Sequence, residues 1–161
     1  MRYTVSMEIA APRETVVALL ADPVHLPKWL RGLVSHEPVD GEHGQVGTVS
    51  RVVLQMGQQE MAATETITRR EPSDLHELPA DTPVHYEREI VADGMWNAAR
   101  ERLTASGPGT TLWESENEYR FDGVVMRVAA PLMRPMFRKQ SRRHMADFKA
   151  FAEHGTDVRG T

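Results

Sequence analysis

The sequence predicts an α+β fold in which a curved antiparallel sheet closes over one long C-terminal helix. A short alternating strand opens the chain and two brief helical segments follow it. Residues 33–121 then read as about six strands in succession, and an amphipathic helical stretch runs from 123 onward. A run of strands must bury its apolar face, and the terminal helix is the element able to cover it. Such a sheet and helix leave room between them, and a ligand site is expected there.

The elements follow in order. In "RYTVSMEIAA", Tyr3, Val5, Met7 and Ile9 alternate with Arg2, Thr4, Ser6 and Glu8, the pattern of a half-buried strand. Pro12 suits the first turn of a helix whose Val16, Val17 and Leu20 share a face, and "ADP" at 21–23 stops it. "VHLPKWL" predicts a second short helix or turn anchored by Trp29 and Leu30. "LVSHEPV" and "GTVSRVVLQM" flank the turn-rich "DGEHGQVG". "EMAATETIT" follows, then the polar stretch "RREPSDLHELPADTP". "VHYEREIV" and "MWNAARERLTA" are joined by "ADG", a hairpin signal, and "SGPGT" turns into "TLWESENEYRF". No repeat or linker divides the chain, so residues 1–154 are expected to form a single domain and 155–161 a flexible tail.

The terminal helix is expected in two segments, 123–130 and 135–154. Pro131 interrupts a helix, and Pro135 suits the first turn of a new one. At 100° per residue, Met136, Phe137, Gln140, His144, Asp147, Phe148 and Phe151 share one face, while Arg138, Lys139, Arg142, Arg143, Lys149 and Glu153 take the other. Gln140 and His144 stand on the centre line of the apolar face, one turn apart. Three readings of that face compete. It packs on the sheet with its polar groups satisfied internally; it lines a cavity and touches a ligand; or the helix lies on a membrane. Residues 124–154 hold seven Lys/Arg and two Asp/Glu, a charge of +5 that leaves −9 for the rest, a split that would favour anionic lipid.

Period-two reading assigns faces to the later strands. Met95, Asn97, Ala99, Glu101 and Leu103 share the face expected to point inward, as do Trp113, Ser115, Asn117, Tyr119 and Phe121. Val84, Tyr86, Arg88 and Ile90 oppose His85, Glu87 and Glu89. Polar groups on an inner face are costly unless paired with each other, with water or with a ligand. Three explanations stay open: an internal Arg88–Glu101 pair with amide bonds, a register shifted by one residue, which would swap every face, or a polar lining that meets a ligand. Glu101 and His144 are the candidates for acid–base chemistry.

Composition narrows the classes. Apolar residues make up 40% and charged residues 26%, as in soluble globular chains. The net charge of −4 argues against nucleic acid as a partner. With no cysteine, disulfides and thiolate chemistry are excluded. Among the seven histidines, none forms a metal-binding helical pair. His36 and His43 meet across a turn at most, so neither metal nor cofactor is expected. The N-terminus is too polar for a secretory signal, and a cytoplasmic monomer or homodimer is expected.

The order of elements resembles the START-like (SRPBCC) helix-grip superfamily, in particular its bacterial polyketide cyclase/dehydrase branch. The resemblance rests on "MEIAAPRETVVALLADPVHLPKWL", "DGEHGQVGT", "GMWN" and "FRKQSRRHMADFKAFAEH", and spans residues 1–154. It implies a seven-stranded antiparallel sheet gripping the C-terminal helix over a deep hydrophobic cavity. Members bind lipids, sterols or polyketides, some cyclise or dehydrate polyketides, and some oxygenases use the fold with iron. No catalytic set of the cyclases transfers to this chain.

The expected function is therefore binding of a small hydrophobic molecule such as a lipid or polyketide-like compound. Trp113, Tyr119, Phe137 and Phe148 would supply apolar wall. Arg88, Asn97, Glu101, Asn117, Gln140 and His144 would orient its polar end. The methionine-rich Pro131–Pro135 joint is the expected entrance. The alternative is a cyclase or dehydratase using Glu101 and His144. Transient membrane contact through the basic helix face is a third expectation.

Overall fold

A computed structural model of the chain describes residues 1–42 and 44–160. The described residues form seven strands: β1 (Arg2–Ile9), β2 (Leu33–Asp40), β3 (Val49–Met56), β4 (Gln59–Glu71), β5 (Val84–Ala92), β6 (Met95–Gly107) and β7 (Thr110–Phe121). All pair antiparallel in one curved sheet, in the order β1-β7-β6-β5-β4-β3-β2. Two short helices, α1 (Arg13–Ala21) and α2 (Leu26–Trp29), connect β1 to β2, and α3 (Val124–His154) crosses the concave face. This is the helix-grip architecture.

The alternation in the sequence sets the register. Glu101 stands opposite Ser115 on β7 and Tyr86 on β5, and Ala99 opposite Asn117 and Arg88. The expected inward residues of β5, β6 and β7 therefore lie on one concave face. Their neighbours Arg100, Arg102, Glu114, Glu116 and Glu118 pair with each other on the outer face.

The core gathers where α2 and α3 meet the sheet. Phe148 is fully buried, with the rings of Trp29 and Trp113 each 5.1 Å away and edge-on to it. Val16, Val17 and Leu20 of α1 bury against the same cluster. Burial of a side chain of this size contributes about 1.5–3 kcal/mol. A buried arginine that no sequence pattern singled out fastens the polar stretch before β5. The Arg13 guanidinium donates to the carbonyls of Leu78, Pro79, Ala80 and Thr82 and pairs with Glu14.

One expectation needs correction. α3 is one helix of 31 residues, not two segments joined at Pro131 and Pro135. Both prolines are exposed on its outer side, where water can hydrogen-bond the carbonyls they leave without N–H partners. Flanking Ala, Met, Leu and Arg are strong helix formers, and Ala130 is buried against the fold. The helix ends at Gly155 in the left-handed conformation (φ 68°), whose N–H donates to Phe151 O at 2.8 Å. Among the described residues after it, Thr156–Val158 are half-buried, and a 3₁₀ turn, Val158–Gly160, packs against α2.

Candidate functional site

A cavity of about 230 Å³ lies between the concave face and α3. That is many times the roughly 10–15 Å³ one water requires. Period two builds its floor: Leu54 from β3, Met61, Ala63 and Glu65 from β4, and Arg88 and Ile90 from β5. Met95, Asn97, Ala99 and Glu101 of β6 and Trp113, Ser115, Asn117 and Tyr119 of β7 continue it. Helical spacing builds the roof from Phe137, Gln140, Ser141, His144 and Met145, and Trp29 of α2 with Leu30 just after it close one side.

The walls are mostly apolar, but a chain of polar groups crosses the floor. His36 Nε2 lies 3.1 Å from Glu65 Oε1, and Arg88 Nη1 donates to Glu65 Oε2 at 3.3 Å. Arg88 Nη2 donates to Glu101 Oε1 at 3.3 Å, and Trp113 Nε1 donates to Glu101 Oε2 at 2.6 Å. Two carboxylates thus share one guanidinium, with a histidine and an indole at the ends. Behind Glu65 and Arg88, a second space of about 20 Å³ beside His36, Thr48 and Ser50 is large enough for one water. Arg88 Nε and Trp29 Nε1, both buried, have no protein acceptor among the described residues.

The remaining polar groups are placed differently. Asn97 Nδ2 donates to Glu118 O at 3.0 Å, which turns its amide toward the neighbouring strand. Asn117 Nδ2 donates to Ser115 Oγ at 3.2 Å. Tyr3 OH and Ser141 Oγ lie 2.7 Å apart and tie β1 to α3. His144 makes no hydrogen bond among the described residues.

Burial and charge together set the protonation states. Burial alone would raise Glu65, but the hydrogen bond from His36 and the charge of Arg88 outweigh it and hold the carboxyl below its usual range. Burial would lower Arg88, but Glu65, Tyr86 and Glu101 raise it further than burial lowers it. Burial pushes the Tyr86 hydroxyl up to about 12, and raises Tyr119 as well. Burial lowers His144, with Asp147 opposing and Arg143 and Arg31 reinforcing. Asp147 is itself engaged by Arg31 at 2.8 Å. His144 is therefore a neutral imidazole at neutral pH.

Nine of the ten expected site residues line this cavity: Arg88, Asn97, Glu101, Trp113, Asn117, Tyr119, Phe137, Gln140 and His144. Gln140 is solvent-exposed and stands at the rim rather than on the centre line of the buried face. Phe148 does not line the cavity; its ring is locked between the two tryptophans. Met136, expected beside Phe137, points outward and is 54% exposed. The Arg88–Glu101 pair weighed from the sequence is present, and Glu65 extends it. Glu65 lies beyond the three strands whose faces the sequence assigns, although the alternation of Ala63, Glu65 and Ile67 in "AATETI" is the signal that marks it as inward. His36 belongs to the buried network, not to the surface, and its side chain is 9% exposed.

His43, considered with His36 as a metal pair, lies outside the described residues. Among the described residues no group of three or more His, Asp or Glu side chains is placed to hold a metal ion. Nor, among them, is any helix long and apolar enough to cross a membrane. A shallow groove of about 320 Å³ on the outer face of β2–β5 is lined by exposed Val39, Arg51, Thr64 and Val91. It lacks the buried polar groups that fix a ligand's orientation.

Comparison with solved structures places the architecture among known folds. An aromatase/cyclase from Streptomyces sp. R1128 superposes with a TM-score of 0.69 at 15% identity, covering 99% of this chain and 98% of that one. A protein from Thermus thermophilus gives 0.72 at 16% identity over 94% and 97%. Norcoclaurine synthase from Thalictrum flavum, in complex with dopamine and hydroxybenzaldehyde, gives 0.61 at 18% identity over 93% and 84%. At these identities the likeness is one of fold. No curated protein sequence matches the chain. A family model described as polyketide cyclase/dehydrase and lipid transport matches residues 1–153. The chain belongs to that polyketide cyclase/dehydrase and lipid transport family.

Proposed function

We propose that this chain binds a small, largely apolar molecule with one polar end inside the cavity. The observation that supports this most is the Glu65–Arg88–Glu101 array set in a mostly apolar lining. Moving three charges out of water is expensive and is poorly explained by stability alone. Such an array suits recognition: Arg88 Nε and Trp29 Nε1 are donors without protein acceptors, and a ligand hydroxyl or carbonyl oxygen would accept from them. Leu54, Ile90, Tyr119 and Phe137 would cover the apolar part.

Native mass spectrometry of protein purified from its own host tests this. A small mass that leaves on denaturation is the expected result. Ala99→Phe, which places a ring in the cavity from β6, should abolish uptake of an apolar fluorescent probe. Equal probe binding by the folded Ala99→Phe variant would overturn the proposal.

A second reading, proton transfer in a cyclisation or dehydration, is favoured by one observation. His144 is neutral, lines the cavity and makes no hydrogen bond among the described residues, so its lone pair is free to accept a proton. Glu101 suits that role less well, because each of its oxygens already accepts a hydrogen bond. Turnover of a polyketide-like substrate, lost in His144→Leu while probe binding persists, would establish this reading over simple binding.

A further inference from the structure

The first half of α3 carries apolar residues on the wrong side for the core. Val124, Val125, Val128, Leu132 and Met136 are 54% to 83% exposed. Positions 124, 128, 132 and 136 are each one turn apart, so these side chains form one stripe along the helix. Met126, Ala129, Ala130, Met133 and Phe137 occupy the opposite face and are the ones that turn inward. The stripe is therefore a second apolar face, uncovered by the fold.

Its surroundings are basic. Exposed Arg127, Arg134 and Arg138 flank it, and Lys139, Arg142 and Arg143 continue the outer face toward the C-terminus. No acidic residue occurs between Asp122 and Asp147. Arg134, Arg138, Lys139, Arg142 and Arg143 have no ion pair among the described residues, whereas most arginines of the sheet do. An apolar ridge bordered by unpaired cations is the pattern of a helix that rests in the interface of an anionic bilayer. A second copy of the chain fits less well. A two-fold contact through this stripe would face the cations of one copy with those of the other.

We propose that the outer face of α3 docks on anionic lipid membranes, with Val128, Leu132 and Met136 inserted among the acyl chains and Arg134, Arg138 and Arg142 at the headgroups. Met136 is one turn from Gln140 at the cavity rim, so docking brings the lipid surface close to the cavity. The inference holds whether the cavity ligand is a lipid or another apolar molecule.

Flotation with phosphatidylcholine vesicles, with and without phosphatidylserine, tests it on the full chain. The wild-type protein should float with the phosphatidylserine vesicles, and binding should fall about tenfold without that lipid or in high salt. Val128→Glu/Leu132→Glu and, separately, Arg138→Glu/Arg142→Glu should each lose flotation while keeping the wild-type circular dichroism and cavity-probe binding, since all four residues are exposed. Three results would overturn the proposal. One is failure of the wild type to float with anionic vesicles. Another is unchanged flotation of the folded variants. The third is a concentration-dependent dimer that Val128→Glu/Leu132→Glu dissolves.

Discussion

The outer and inner faces of the sheet carry the same kinds of ion pair under opposite conditions. Outside, Arg100 reaches Glu116 and Glu118 at 3.0 and 3.1 Å, and Arg102 reaches Glu114 at 2.9 Å, all partly open to water. Arg100, Arg2 and Arg120 together overcome partial burial and hold the Glu118 carboxyl down at about 2. Inside, Arg88 bridges Glu65 and Glu101 at longer distances of 3.3 Å each, with the Glu101 side chain only 4% exposed. Water screens the outer ladder, so its geometry is better than its energy suggests. The inner array has lost most of its hydration and depends on its own partners. Short distance is therefore a poor guide to which pair matters; burial decides.

The largest expected effect comes from breaking the inner array. Arg88→Met leaves two buried carboxylates without their cation and should cost about 3–5 kcal/mol in urea unfolding. Adding Glu65→Gln and Glu101→Gln to it should recover much of that stability while probe and ligand binding stay lost. If the triple variant were as unstable as Arg88→Met, the array would be structural rather than kept for recognition. A smaller loss, about 1–3 kcal/mol, is expected for Glu101→Leu, which strips Trp113 Nε1 of its acceptor. Glu101→Gln keeps that acceptor and should fall between it and the wild type, with ligand preference changed in both.

The next effect is in pH dependence. The folded His144 titrates below its unfolded value of about 6.5 because it is buried, so the unfolded chain takes up that proton first. Its contribution is complete above that value and is lost as pH falls through the folded one. The wild type should therefore lose stability relative to His144→Gln as pH falls through about 6.5 and below, read from unfolding midpoints. His85 shifts in the same direction and is present in both proteins, so it cancels in that difference. Glu65, held below its usual range, adds a loss in the wild type and the variant alike only at lower pH. The smallest effect belongs to the outer ladder. Arg102→Ala should cost no more than about 1 kcal/mol, and less in high salt.

Local pattern made much of the site legible. The alternation in "VHYEREIV", "MWNAARERL" and "TLWESENEYRF" placed Arg88, Asn97, Glu101, Trp113 and Asn117 on the concave face, because a strand's side chains can point only two ways. The helix was harder to read. Its period puts Phe137 and His144 inward, but the apolar Val128, Leu132 and Met136 look identical to core residues in a hydrophobicity pattern. Pro131 and Pro135 suggested a break, since a proline's local cost says nothing about whether its freed carbonyls meet water or protein. Phe148 shows the same limit: an aromatic on the inner face can pack solid or line a cavity, and only its neighbours Trp29 and Trp113 distinguish the two.

By itself, the sequence determined the order of elements, the inward face of the last three strands and the existence of a helix to cover them, because these follow from short-range periodicity. Only the tertiary structure decided that His36, Glu65, Arg88, Glu101 and Trp113 form one buried array, that the prolines face solvent and that an apolar stripe of α3 is left uncovered. His36 and Glu65 are 29 positions apart, and Glu65 and Arg88 are 23 apart. Such partners are chosen by sheet curvature and by the seating of the helix, which no local period encodes.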